Sequence, residues 1–341
     1  MKALILAGGK GSRLRPLTFT RSKQLLPVAG RPLLHYAVDA VRQAGCTEVG
    51  VIVGHTGAEI RASLGDGSAL GVRITCIEQE HPLGLAHALL KAQDFLGDAP
   101  FLMFLGDNLL QGSLAPMVQR HLAERNAATL LLARVPDPQR FGVVEVLGER
   151  VLKLEEKPEH PQSDLALTGI YLLDGRIFDA ARTLKPSARG ELEITDALQV
   201  LVDRGEPVVA TEVQGWWKDT GKPQDLLAAN RLLLAQGSRI DPSAVLACEV
   251  RHPVFVGAGA RVHGGSIGPN AAIGAGAQLN QARIEDSILM DHCHVQGVRL
   301  SQSLIGQGAR VSGQGAARLH LGDQCLVEIQ PPEFQNPEEH P

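Results

Sequence analysis

At 341 residues the chain exceeds the usual size of one hydrophobic core, so two domains are the expectation, with one large domain as the alternative. Its 44% hydrophobic and 21% charged residues match a soluble globular enzyme and exclude a disordered or fibrous chain. A formal net charge of −4 gives no basic field for DNA or RNA, and no apolar run approaches the ~18 residues of a membrane span, so neither a nucleic acid nor a membrane is expected as partner.

The first apolar run, 2–7, is too short for a secretory leader and passes straight into Gly8-Gly9, so a cytoplasmic location is expected. The five cysteines are scattered without a C-x-x-C pair, which suggests reduced, mostly buried thiols. Runs at 2–7, 48–53, 72–77, 101–105 and 129–133 read as buried strands. Between the first two, Leu33, Leu34, Ala37, Val38, Val41 and Ala44 form a helical stripe ended by Gly45, and 83–96 reads as another helix. Alternating strands and helices imply a mostly parallel sheet covered on both faces.

The turn after the first strand runs Leu6-Ala7-Gly8-Gly9-Lys10-Gly11-Ser12-Arg13. Glycines there let backbone N–H groups approach a phosphate, and Arg13 adds a permanent charge with a fixed fork of donors. The spacing matches neither G-x-G-x-x-G nor the P-loop, and alone it reads equally as a plain strand-to-helix turn. Lys23, in Lys23-Gln24-Leu25-Leu26-Pro27, adds a second cation, as a nucleoside triphosphate requires. After the fourth strand comes Leu105-Gly106-Asp107-Asn108. Ligands of open parallel sheets collect at the carboxyl ends of strands, so Gly8 and Asp107 should line one crevice. Asp107 is also a plausible turn residue.

From 141 to 213 the pattern is less regular, with strands at 143–147 and 167–173 and a helix at 192–201, and it reads as an insertion that completes a pocket. Asp219, in Trp216-Trp217-Lys218-Asp219-Thr220-Gly221, is the second acidic candidate. Mg²⁺ is held by one or two carboxylates plus substrate phosphates, so Asp107 and Asp219 suffice as metal ligands if folding brings them together. A helix at 223–235 closes this domain, set at 1–237.

Beyond Ile240 the texture becomes repetitive: VGAGAR at 256–261, IGPNAA at 267–272, IGAGAQ at 273–278 and IGQGAR at 305–310 share one formula. Apolar residues step by six from Val250 to Val256 to Val262, and from Ile267 to Ile273 to Leu279. An inward wedge followed by glycine suits a triangular coil, which assigns 238–330 to a domain resembling left-handed parallel β-helices of hexapeptide repeats. His292-Cys293-His294 does not make a zinc site, because neighbouring residues alternate across a strand and no second ligand cluster follows. Residues 331–341 read as a disordered acidic, Pro-rich tail.

The motifs GGKGSRLRPLT, KQLLPV, LGDN, EEKP at 155–158, RGELEITD at 189–196 and WWKDTGKPQDLLAANRLLL at 216–234 occur in the order seen in sugar nucleotidylyltransferases. With the hexapeptide tail, the chain resembles the long-form glucose-1-phosphate thymidylyltransferases. The resemblance implies a Rossmann-like α/β domain with a mixed, mostly parallel sheet, and transfer of a thymidylyl group from dTTP to glucose-1-phosphate with Mg²⁺ as cofactor. By it, Arg13, Lys23 and Asp107 are catalytic; Leu6, Gly8, Gly9, Gly11, Gln24, Gln79 and Gly84 bind the nucleotide. Gly142, Glu156, Lys157, Thr168, Gly169, Tyr171 and Arg189 match the sugar-phosphate positions. Phe141 stands where many relatives carry Tyr, so no hydroxyl reaches the sugar from there.

UTP is the alternative nucleotide, although UTP users tend to show a Glu-Met pair after the lysine where this chain has Gln24-Leu25. A bifunctional acyltransferase, with bases among His252, His263, His292 and His294, and a silent scaffold subunit are the other readings. An uncapped solenoid end is an open edge, so the coil is expected to pack against the catalytic domain and a second subunit, giving a homo-oligomer.

Overall fold

The computed structural model describes residues 1–330, so the expectation for 331–341 lies outside the described residues. The chain divides into two compact units. The first holds residues 1–10, 22–25 and 32–220; the second holds 11–21, 26–31 and everything from Gly221 onward.

The first unit is built on a nine-stranded sheet in the order Arg73–Glu78, Glu48–Val53, Lys2–Leu6, Phe101–Leu105, Leu165–Leu173, Ala128–Arg134, Val208–Glu212, Arg150–Glu156, Gly142–Leu147. The first four strands run parallel. Leu165–Leu173 then pairs antiparallel with both its neighbours, and Arg150–Glu156 does the same. The sheet is therefore mixed, as expected, but parallel pairs do not dominate it: beyond the first four strands only Ala128–Arg134 and Val208–Glu212 run parallel. In the second half the antiparallel partners are mostly far apart in sequence, and only Gly142–Leu147 and Arg150–Glu156 form a tight hairpin. The run at 72–77 is also less buried than expected: Arg73–Glu78 is the edge strand, and it alternates between exposed and half-buried.

Alternation sorts each central strand onto two cores. Leu4 and Leu6 join Phe101 and Met103 in one cluster, while Ala3, Ile5 and Ala7 join Leu102 and Phe104 in the other. The helix Leu33–Gln43 buries Leu33, Leu34, Ala37, Val38 and Val41, the predicted stripe. The expected helix at 83–96 forms as two short pieces, Leu85–Lys91 and Gln93–Leu96, which meet at Ala92.

In the second unit, successive strands alternate between two six-stranded sheets, all parallel. Register partners advance by 16 or 17 residues: Val245 faces Arg261, then follow Gln278, His294, Arg310 and Leu326. Several of the long strands carry left-handed residues near their middle, such as Gly264 and Gly265 in Arg261–Ile267. Inside, Val256, Ile273, Leu289 and Ile305 stack in one column and Val262, Leu279, Val295 and Val311 in a second, all at most 1% exposed. The glycine after each wedge has a steric cause: a Cβ on Gly274 would lie 2.5 Å from the backbone nitrogen of Asp291 in the next coil. Cys293 also points into this core, where burial pushes its thiol up to about 12.

The helix Pro223–Leu234 groups with these sheets. So do two pieces of the N-terminal region. Asp323 accepts from the Thr20 hydroxyl at 2.7 Å and from Arg21 at 3.0 and 3.2 Å, and Arg21 also donates to Gln307 Oε1 at 2.6 Å. Ala29 N–H is held by Asn230 Oδ1 at 2.9 Å.

Candidate active site

Three of the parallel strands deliver their carboxyl ends to one place. Leu6 is in register with Ile52 on one side and Leu105 on the other, and the chain continues from these strands into Gly8-Gly9, Gly54 and Gly106-Asp107. Gly106 N–H donates to the Leu6 carbonyl at 2.9 Å, and Gln79 N–H to the Val53 carbonyl at 2.9 Å, which fixes both turns on the sheet. Leu6, Gly8, Gly9, Lys23, Gln24, Ile52, Gln79, Gly84, Leu105, Asp107 and Glu191 line the resulting crevice of about 240 Å³. A crevice at the carboxyl edge of a parallel sheet is where such folds take ligands.

The expected nucleotide residues Leu6, Gly8, Gly9, Gln24, Gln79 and Gly84 thus come together with Lys23 and Asp107. Gly11 and Arg13 belong to the second unit. There Gly11 adopts a left-handed φ of 62° before the turn Ser12–Leu14, the Thr18 hydroxyl closes the loop on the Gly11 carbonyl at 2.7 Å, and Arg13 is exposed.

Lys23 forms an ion pair with Asp107 Oδ2, with both side chains less than a fifth exposed. The short strand Asn108–Leu110 pairs antiparallel with Trp217–Asp219, which sets Asp219 opposite Asn108. Thr220 adds two hydrogen bonds to the Asp107 carbonyl, from its N–H at 3.2 Å and its hydroxyl at 2.7 Å. Two carboxylate residues 112 positions apart in sequence therefore become neighbours on one ribbon. Beside them, the buried side-chain oxygen of Asn108 has no hydrogen-bond partner. Asp219 and Asn108 are register partners and Asp107 directly precedes Asn108, so oxygen donors of the kind a hard divalent cation prefers occupy adjoining positions of this ribbon.

The sugar-side candidates form a second charged group. Gly142 and Glu156 are register partners, and Glu156 Oε2 accepts from the Thr195 hydroxyl at 2.7 Å. Glu156 Oε1 takes Lys157 at 2.9 Å and Arg189 at 3.1 Å. Arg189 is gripped by both oxygens of buried Glu193 at 2.8 Å and lies 3.5 Å from Glu191, a residue of the crevice wall. Phe141 stands edge-on to Trp217 with ring centroids 5.7 Å apart, an aromatic wall where a hydroxyl is missing. Asp196 nearby is raised above the usual carboxylate range by burial, then by Glu193 and Glu156.

Two further sugar-side candidates lie on the central strand of the sheet. The Thr168 hydroxyl donates to the Leu131 carbonyl at 2.8 Å, and Tyr171 is buried in the core, where burial and Glu156 raise its phenol. Both sit on the central strand Leu165–Leu173, all of whose residues are buried. Gly169 between them has φ 81°, and a Cβ there would meet Leu105 at 2.5 Å. Sequence reasoning missed Glu193 and Thr195, although both lie inside the RGELEITD motif, and it missed His87, one turn into the helix after Gly84.

Gly84 caps that helix at φ 106°, and a Cβ there would lie 2.4 Å from the Leu192 carbonyl oxygen. Its own carbonyl accepts from Gln79 at 3.1 Å. The Gly84→Ala variant must push the loop off Leu192 and slacken the hold on Gln79. Its nucleotide KM is expected to rise about tenfold or more in steady-state assays, with the sugar-phosphate KM unchanged, a loss comparable to one polar contact.

A family model described as nucleotidyl transferase matches residues 2–236. A glucose-1-phosphate thymidylyltransferase of Streptomyces griseus is 44% identical over 96% of this chain and 99% of its own length. A second of that name, from Streptomyces antibioticus, is 42% identical over 97% of this chain and 100% of its own. Among solved structures, a UDP-glucose pyrophosphorylase complexed with UDP-glucose is 26% identical and superposes with a TM-score of 0.63 over 69% of this chain and 98% of that one.

Proposed function

From the chain's membership of the nucleotidyl transferase family we propose that it is a glucose-1-phosphate thymidylyltransferase, which makes dTDP-glucose and pyrophosphate from dTTP and glucose-1-phosphate. The observation that carries this reading is the crevice itself. A glycine turn, a lysine–aspartate pair and a fixed glutamine amide meet there, and the Glu156, Lys157 and Arg189 group reaches it at Glu191.

A phosphate oxygen of the sugar phosphate attacks the α-phosphorus in line and expels pyrophosphate, without a covalent enzyme intermediate. Both reactants are anions, so the chain's task is to hold them in line and neutralise charge. Gly8 and Gly9 offer backbone N–H groups to the triphosphate, and Lys23 balances the charge that develops on the leaving pyrophosphate. Lys157 and Arg189 draw in the sugar phosphate, and Glu156 accepts from a sugar hydroxyl. Asp107 and Asp219 would hold Mg²⁺, which supplies charge neutralisation at the phosphates. The C-terminal coils are read as a left-handed β-helix.

A second reading keeps every role and changes the nucleotide to UTP. The solved relative that carries UDP-glucose favours it, and thymine and uracil differ only by a methyl group. Pyrophosphate release at equal dTTP and UTP decides: thymidylyl transfer predicts a clear preference for dTTP, lost when EDTA removes the divalent metal. Equal or greater turnover with UTP would reverse the assignment of the nucleotide.

A further inference from the structure

Gln79 carries two opposite hydrogen-bonding groups on one amide, and only one can face a ligand. Its nitrogen donates to the Gly84 carbonyl at 3.1 Å and sits 2.9 Å from His87 Nδ1. An NH₂ group has two hydrogens, and both are thereby used inside the protein. The oxygen lies toward the glycine turn, where a Cβ on Gly8 would be 3.5 Å from it. Flipping the amide would set its oxygen against the Gly84 carbonyl, acceptor against acceptor, so that carbonyl and the His87 lone pair both fix the same orientation.

We propose that His87 is a specificity-positioning residue: by accepting from Gln79 at Nδ1, it locks the glutamine oxygen toward the crevice and so selects a base with an N–H on its pairing edge. This rests on the reading of Gln79 as the base contact. Thymine and uracil carry a hydrogen on N3, which can donate to the glutamine oxygen. Cytosine carries a lone pair there and would face it unpaired, and a buried acceptor left without a donor loses its whole desolvation cost. His87 can accept at Nδ1 only as the neutral ring. Its surroundings favour that form: burial first, then Lys91 and His81, lower its proton affinity, while Glu80 alone raises it.

The test compares dTTP with dCTP by pyrophosphate release in the wild type, His87→Leu and His87→Asn. Leucine removes one of the two acceptors, so only the Gly84 carbonyl still holds the amide and its turned form becomes more populated. The kcat/KM ratio of dTTP over dCTP is expected to fall about tenfold or more, with the loss for dTTP falling on KM more than on kcat. Asparagine places an amide oxygen where Nδ1 stood and is expected to keep most of the ratio, which a purely structural role for the ring would not produce. An unchanged ratio in His87→Leu, or an equal loss in His87→Asn, would overturn the proposal. Gln79→Leu separates this from the parent reading: if an active Gln79→Leu enzyme keeps its dTTP KM, the base contact itself is wrong and the proposal falls with it.

Discussion

The Asp107→Asn enzyme is expected to lose on the order of 10²-fold or more in kcat while folding normally. Asparagine keeps the size of the side chain and its backbone setting, because Thr220 grips the Asp107 carbonyl and Gly106 is tied to Leu6. Only the charge goes. The carboxylate is partner to Lys23 in the nucleotide-free chain, and in the proposed mechanism it is also one of two acidic ligands for a divalent cation. Asp219→Asn should show the same deficit, and the double variant little more than either alone, because two ligands of one ion act as a unit. Single-turnover rates at saturating Mg²⁺ provide the measurement. A variant that keeps more than about a tenth of wild-type turnover would remove Asp107 from the chemistry.

Lys23→Met is expected to separate two properties that ordinarily move together. Its kcat/KM for the nucleotide should fall about 10²-fold, since a charge that meets the developing pyrophosphate is missing. Its affinity for Mn²⁺ without nucleotide should instead rise several-fold, because Asp107 no longer has an ammonium on its carboxylate. In the proposed mechanism Lys23 serves two anions in turn, Asp107 before the triphosphate arrives and the phosphates after it. The partial burial of both groups makes this exchange consequential, because charges shielded from water interact more strongly than exposed ones. Paramagnetic titration of the nucleotide-free variant reads the second effect directly. Weaker Mn²⁺ binding than in the wild type would contradict the exchange.

Much of this site could be read before folding because its chemistry is local. Glycines after a strand, an acidic residue after another and a hexad of wedges each state their role within a few positions, and the columns Val256 to Ile305 and Val262 to Val311 follow that periodicity. What periodicity does not encode is who stands opposite. Antiparallel pairing of Leu165–Leu173 with its neighbours depends on connections and not on alternation, so the sheet turned out half antiparallel. For the same reason the burial of Thr168 and Tyr171 within that strand is not legible from their motif. His87 left no sequence signal, because its importance comes from a 2.9 Å contact with a residue on another element.

The bonds from Thr20 and Arg21 to Asp323 join positions some 300 residues apart, and they change what the repeat region is for. The segment Gly11–Arg21 carries Arg13, and Asp323 near the end of the parallel strands is its footing, with Gln307 as a second peg. A cut at residue 237 therefore amputates no mere appendage. It strips the N-terminal loop of the scaffold on which its shape depends, so this protein's beginning is completed by its end.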